Sequence, residues 1–171
     1  WEEDQRILLI CKKADHLPGD RVPRLSIVLP VYNESATCQE LIDTVLAKNL
    51  VGVEREVVIV ESNSTDGSRE IVRRYETHPG VRIVYEDRPR GKGYAVRNGL
   101  SHSTGDLLLI QDADLEYDIN DYECLLEPLL THRRLFVLGS RHKGSWKMRQ
   151  FDDLSWLGTL FNLGQIFFTW L

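Results

Sequence analysis

Cysteine is scarce in this chain. Cys11, Cys38 and Cys124 are odd in number and widely spaced. That excludes a disulfide framework and matches no zinc or thiol-redox spacing. Reduced thiols in a cytoplasmic setting are the expectation. His16 falls in a linker, and His78, His102, His132 and His142 show no ligand spacing with one another. No Ser/His/Asp order and no Cys/His pair points to covalent catalysis. Positive charge is not concentrated anywhere, and the net charge of −5 argues against nucleic acid as a partner. No signal-peptide pattern is read at Trp1, and the terminal run LGTLFNLGQIFFTWL is too short to span a bilayer. A start at Trp1 and a stop inside that run read as an excised piece.

What is present is a regular alternation. At 171 residues, the length suits one domain by the usual size of about 100–200 residues. Residues 1–23 read as an N-terminal extension or linker. In it Arg6–Cys11 is a short strand or the end of a helix, and Pro18, Gly19 and Pro23 mark a linker. From residue 24 strands and helices alternate. Strands are expected at Leu25–Pro30, Glu56–Val60, Val81–Tyr85, Asp106–Gln111 and Leu135–Leu138. Helices are expected at Ala36–Leu46, Ser68–Tyr75, Tyr94–Ser101 and Ile119–Leu130, the last frayed by Pro128. This order predicts an α/β fold, a mostly parallel sheet with helices on both faces.

The informative residues fall at strand ends, where open α/β sheets bind their ligands. GDLLLIQDADLEY, residues 105–117, is an apolar run ending in Asp112 and Asp114. Paired carboxylates there repel unless a cation neutralises them, which suggests a hard divalent metal holding a phosphate-bearing substrate. Alone, such a motif is more often a solvated turn. Pro30 should end strand pairing and turn the chain outward. Tyr32 could stack on a base and Glu34 accept from a ribose or base, or Glu34 could simply be the acid of a helix N-terminus. Glu61 follows the second strand and could read a base N–H, or belong to a turn capping the next helix. Asp66-Gly67 is that turn. Lys92 lies between Gly91 and Gly93 at a helix start suited to an anion, or is a solvated lysine in a glycine turn. Arg141, after the fifth strand, suits a phosphate or is an ordinary surface arginine.

Taken together, SIVLPVYNE, VIVESNSTDGS, GKGYAVRNGL, GDLLLIQDADLEY and LGSR resemble, in order and spacing, the family 2 glycosyltransferases of the GT-A (Rossmann-like) fold. The nearest likeness is to the dolichol- and polyprenyl-phosphate sugar synthases. The resemblance covers about residues 24–145 and implies a catalytic domain there. It implies an inverting transfer from a GDP- or UDP-sugar to a lipid phosphate, assisted by Mg²⁺ or Mn²⁺. Pro30, Tyr32 and Glu34 would line the nucleoside pocket with Glu61 beside the base, and Lys92 would lie near base or diphosphate. Asp112 would contact sugar or metal, Asp114 the metal, Glu116 the metal shell, and Arg141 the phosphate near the acceptor. An anionic acceptor would need no strong base, in keeping with the lack of a catalytic histidine. Where the family carries Asp-Asp after the second strand, this chain has Glu61-Ser62. Residues 146–171 are expected to be an apolar C-terminal helix, either cut off or lying on the cytoplasmic face of a membrane. Its apolar surface would favour a homo-oligomer. The alternatives are transfer to a saccharide or other hydroxyl, and a nucleotide-binding module without turnover.

Overall fold

A computed structural model of the chain describes residues 7–12, 17–115 and 118–140, which fall in one compact unit, residues 1–141. The sheet has six strands: β1 (Ile7–Lys12), β2 (Arg24–Val31), β3 (Glu54–Glu61), β4 (Val81–Tyr85), β5 (Leu107–Ile110) and β6 (Phe136–Ser140). Their spatial order is β4-β3-β2-β5-β1-β6. β4, β3, β2 and β5 run parallel. β1 runs antiparallel to both neighbours, Leu9 facing Ile110 of β5 and Leu138 of β6. Ile7–Lys12, read above as strand or helix end in a separate extension, is thus an interior strand of the sheet.

The helices are α1 (Cys38–Ala47), α2 (Ser68–Arg73), α3 (Lys92–His102) and α4 (Tyr122–Leu130), the last preceded by a 3₁₀ turn at Ile119–Asp121. They cover both faces. Leu25, Ile27, Leu29 and Val31 of β2 join Val57, Ile59, Leu107 and Leu109 on one face. There they bury against Leu41, Ile42 and Val45 of α1, Val72 of α2, and Tyr122, Leu126 and Leu129 of α4. The alternate residues Val28 and Val60 meet α3, which approaches so closely that a Cβ at Gly99 would collide with Val28 Cγ1. β2 and β3 are buried on both sides, which explains their runs of apolar residues without alternation.

Three expected boundaries move for local reasons. β2 runs one residue past Pro30, pairing Pro30 with Val60 and Val31 with Glu61. Val28 accepts from Gln111 N on the β5 side, so by alternation the missing N–H of Pro30 faces that side too, where pairing has ended. Helix α2 stops at Arg73, and Arg74 and Tyr75 close with tighter three-residue bonds. The helix expected over Ile119–Leu130 splits: Asp118 accepts from Asn120 N and starts the 3₁₀ turn, and α4 follows. Pro128 is accommodated inside α4, which runs two residues further.

The C-terminus of α1 is held from a distance. Arg55 on β3 donates to the carbonyls of Val45 (2.9 Å), Leu46 (2.7 Å) and Lys48. These are the carbonyls a helix end leaves without partners. Among the described residues no helix is long and apolar enough to cross a membrane, and Cys38 and Cys124 are both free thiols.

Candidate active site

Chain order and spatial order diverge at β2: β3 and β4 lie to one side of it and β5 to the other. At such a switch point the loops leaving neighbouring strands part and open a crevice at their carboxyl ends. A cavity of about 360 Å³ occupies it. Pro30, Tyr32 and Glu34 come from the end of β2, Ser62 from the end of β3, and Pro89, Gly91, Lys92 and Ala95 from the β4–α3 turn and α3. Asp112, Ala113 and Asp114 come from the end of β5. Six residues singled out from the sequence, Pro30, Tyr32, Glu34, Lys92, Asp112 and Asp114, therefore share one wall. Glu116, Arg141 and the stretch 146–171 lie outside the described residues.

The Asp112–Asp114 turn is fixed through its backbone. Gln111 is fully buried; it accepts from Tyr122 Oη (2.9 Å) and donates Nε2 to the Asp112 carbonyl (2.9 Å). Thr37, at the start of α1, donates to the Ala113 carbonyl at 2.7 Å. Leu115 then takes a left-handed φ of 54°. Asp112 and Asp114 both line the cavity. Lys92 Nζ reaches Asp112 Oδ2 at 2.7 Å. That lysine opens α3, where Gly91 at φ 87° supplies a backbone conformation that other residues resist.

The loops after β2 and β3 hold each other. Asn33 N donates to Ser64 Oγ, Glu34 N to Ser68 Oγ and Ser35 N to Asp66 Oδ2, while Thr65 N donates back to Asn33 Oδ1. Even at this exposed position, some desolvation works to raise the Asp66 pKa. The Ser68 hydroxyl and the N–H groups of Ser35 and Ser68 outweigh it and hold the carboxyl far below its ordinary range. Gly67, at φ 100°, completes the expected turn.

Glu61 is not brought to the cavity wall. It pairs in register with Val31, and so points to the α1–α2 face. It is fully buried; its Oε1 accepts from Ser64 N at 2.6 Å, and its Oε2 lies 3.2 Å from Arg69 Nη1 without hydrogen-bond alignment. The next residue, Ser62, lines the cavity instead. Its Oγ donates to Glu86 Oε2 at 2.7 Å, and Asn98 Nδ2 donates to Glu86 Oε1 at 3.0 Å. The sequence reading missed this trio, since three residues so far apart in the chain form no motif.

Asp112 and Asp114 offer hard carboxylate oxygens one residue apart. This set fits Mg²⁺ or Mn²⁺, ions that take one or two carboxylates and complete their shell with substrate phosphates and water. Among the described residues no group of three or more His, Cys, Asp or Glu side chains is gathered for a metal, so Asp112 and Asp114 by themselves provide a partial shell.

Comparison with known proteins agrees with this geometry. The model of glycosyl transferase family 2 matches residues 26–168. An undecaprenyl-phosphate 4-deoxy-4-formamido-L-arabinose transferase from Edwardsiella ictaluri is 37% identical over 106 residues, 60% of this chain and 33% of the relative. A dolichyl-phosphate β-glucosyltransferase from Trichomonas vaginalis is 34% identical over 131 residues, 68% of this chain and 38% of the relative. This chain thus spans little more than a third of the curated relatives it matches. Among solved structures, a mannosyltransferase from Pyrobaculum calidifontis in complex with GDP-Man and Mn²⁺ superimposes with TM-score 0.50 at 36% identity. It covers 60% of this chain and 30% of its own. Glucosyl-3-phosphoglycerate synthase from Mycobacterium tuberculosis, with Mn²⁺, UDP and glucosyl-3-phosphoglycerate, gives 0.52 at 29% identity, covering 68% and 46%. The fold is GT-A, and with the family match reaching from β2 past β6 this chain belongs to glycosyl transferase family 2.

Proposed function

We propose that this chain carries the donor half of an inverting glycosyltransferase that moves a sugar from a nucleoside diphosphate to a polyprenyl phosphate at the cytoplasmic face of a membrane. The observation that carries the reading is the single cavity at the switch point, which gathers Tyr32, Glu34, Lys92, Asp112 and Asp114 from separate strand ends. Curated relatives named for undecaprenyl and dolichyl phosphate support a lipid-phosphate acceptor.

In this reading the acceptor phosphate oxygen attacks the anomeric carbon. The bond from that carbon to the diphosphate breaks, and the nucleoside diphosphate departs with the electron pair. A bound Mg²⁺ or Mn²⁺ supplies neutralisation of the charge that builds on the leaving group. Asp114, with Asp112, would hold that ion, and Glu116 would add to its shell. Lys92 adds a point charge for the diphosphate. Tyr32, nearly half exposed at the cavity mouth, offers a ring for the base, and Glu34 an acceptor for the ribose. Arg141 would serve the acceptor phosphate. Because a phosphate is already anionic, no residue here need act as a strong base.

A thermal-shift titration tests this with GDP, UDP, GDP-mannose and UDP-glucose, each with and without Mn²⁺. Metal-dependent stabilisation by one nucleotide is expected. No stabilisation of the folded protein by any of them refutes the donor site. Transfer to polyprenyl phosphate, measured against a saccharide acceptor in a longer chain, decides the acceptor class.

A further inference from the structure

Gln111 stands just before the paired aspartates, and a polar side chain is an unusual choice for its place. By the alternation of β5 it falls on the same face as Leu107 and Leu109, and like them it is wholly buried. Tyr122, the first residue of α4, is wholly buried in that same core. An apolar pair would fill this layer with no polar group to satisfy.

The hydrogen bonds give the pair a direction. The Asp112 carbonyl can only accept, so the Gln111 amide must turn Nε2 toward it, at 2.9 Å. That leaves Oε1 facing Tyr122 Oη, also at 2.9 Å, and the phenol has to donate. With the amide reversed, two oxygens would meet at Asp112 with no proton between them. The Tyr122 hydroxyl therefore decides which way Gln111 points, and Gln111 decides where the Asp112 carbonyl lies. Because Tyr122 opens α4, the same bond ties together the two ends of the segment that carries Asp112 and Asp114. Thr37 holds the next carbonyl, that of Ala113, from the start of α1. Both members of the pair are neutral, so they order the loop without altering the charge that attracts a cation.

We infer that Tyr122 and Gln111 are positioning residues of the sugar transfer, which hold the aspartate loop in its ion-binding shape before any ligand arrives. Neither residue lines the cavity, and Tyr122 acts wholly through Gln111. An ion that meets a loop already ordered loses none of its binding to ordering it. The inference rests on the proposed donor site and deepens it.

The test reads Mn²⁺ affinity from the paramagnetic resonance of the free ion, with GDP or UDP present, and the melting temperature without ligand. It compares the unaltered full chain, Tyr122→Phe, and the double variant Gln111→Leu with Tyr122→Phe. Circular dichroism serves as the folding control. Tyr122→Phe keeps the ring but leaves Gln111 Oε1 buried without a partner. It should melt earlier and bind Mn²⁺ about tenfold more weakly. The double variant is the sharper arm. It removes both polar partners together, so the melting temperature should recover. If the pair only filled the core, Mn²⁺ affinity would recover with it. As positioning residues they leave the Asp112 carbonyl unheld, and Mn²⁺ affinity should stay about tenfold low. If the folded, unaltered chain takes up no Mn²⁺ with either nucleotide, the donor site is refuted and this inference with it. If it does, and Tyr122→Phe or the double variant binds Mn²⁺ as tightly as the unaltered chain, the donor site stands and the positioning role is overturned. Should neither variant fold, the unaltered chain decides. Without ligand, the Gln111 side-chain amide hydrogens should resist exchange with solvent by NMR, and rapid exchange overturns the inference.

Discussion

The two edges of the parallel sheet treat buried polar groups in opposite ways. At the amino ends, Glu56 is almost wholly buried and fully engaged. Oε2 accepts from the Ser26 hydroxyl and from Thr104 N (2.9 Å), and Oε1 from the Thr104 hydroxyl (3.0 Å), with Arg82 at 3.7 Å. Gly105 N returns a bond to Ser26 Oγ at 2.8 Å; a side chain at Gly105 would meet that same oxygen at 2.6 Å. Nearby, Asp106 takes both arms of the Arg21 guanidinium at 2.8 Å and the N–H of Arg24. At the carboxyl ends the same chemistry is left incomplete. The backbone of Asp112 and Ala113 is clamped by Gln111 and Thr37, yet the Asp112 carboxylate meets one exposed lysine. Glu61 Oε2 is the one buried side-chain polar atom that lacks a hydrogen bond among the described residues. A carboxylate saturated by the protein holds strands together. One whose backbone is fixed and whose oxygens are not keeps its capacity for a ligand.

If this contrast is sound, each edge can be damaged without the other. Asp114→Ala should have the largest effect: metal-dependent nucleotide affinity falls about 100-fold. Isothermal titration with and without Mn²⁺ checks it. Glu56→Ala should do the reverse. It strands the Ser26 hydroxyl and Thr104 N–H and should cost about 2–3 kcal/mol of stability in urea unfolding, with nucleotide affinity changed less than about twofold. Lys92→Met comes next. Exposed ion pairs contribute little to stability, so the melting curve should hold, while nucleotide affinity drops about tenfold at low salt and less at high salt.

The smallest effect is in acid. Burial works to raise the Glu56 pKa, but the Ser26 hydroxyl, the Thr104 N–H and hydroxyl, and Arg82 outweigh it and hold the group below its ordinary range. A carboxylate depressed in the folded state stabilises above the unfolded pKa, about 4.3, and loses that contribution as the pH falls through the folded value. The difference in melting temperature between the unaltered chain and Glu56→Gln should therefore shrink by about 2–4 °C between pH 7 and pH 3. A constant gap would show that Glu56 acts by shape rather than charge.

Much of this was legible in the chain itself. The run Leu107–Ile110 bounded by Gly105 and Asp106 marked β5, and the two aspartates after it fell at the carboxyl edge as strand direction requires. The turn at Asp66-Gly67 was equally plain, because glycine there has to adopt a left-handed φ. The position of Glu61 was not legible, for a physical reason. A strand buried on both faces, as in EVVIV, carries no alternation, so nothing in it says which of Glu61 and Ser62 turns to the cavity; one residue of parity decides. Register with Val31 settles it. Residues 7–12 were ambiguous because a short apolar run fits a strand or a buried helix end equally well. The Arg55 contacts to the end of α1 and the Ser62–Glu86–Asn98 trio depend on tertiary neighbours and leave no local trace.

The place of β1 bears on how this sheet assembles. Ile7–Lys12 comes first in the chain, yet its partners are β5 and β6, about a hundred residues or more downstream. Closing so long a loop carries an entropic cost that must be met before the contacts repay it. The parallel core from β2 to β5 can form from nearer neighbours, whereas β1 must wait for β5, and β6, which among the described strands pairs with β1 alone, must wait for β1. Refolding should thus show a slow phase confined to β1 and β6, and a chain begun at residue 24 should lose that phase along with the strand that tethers β6.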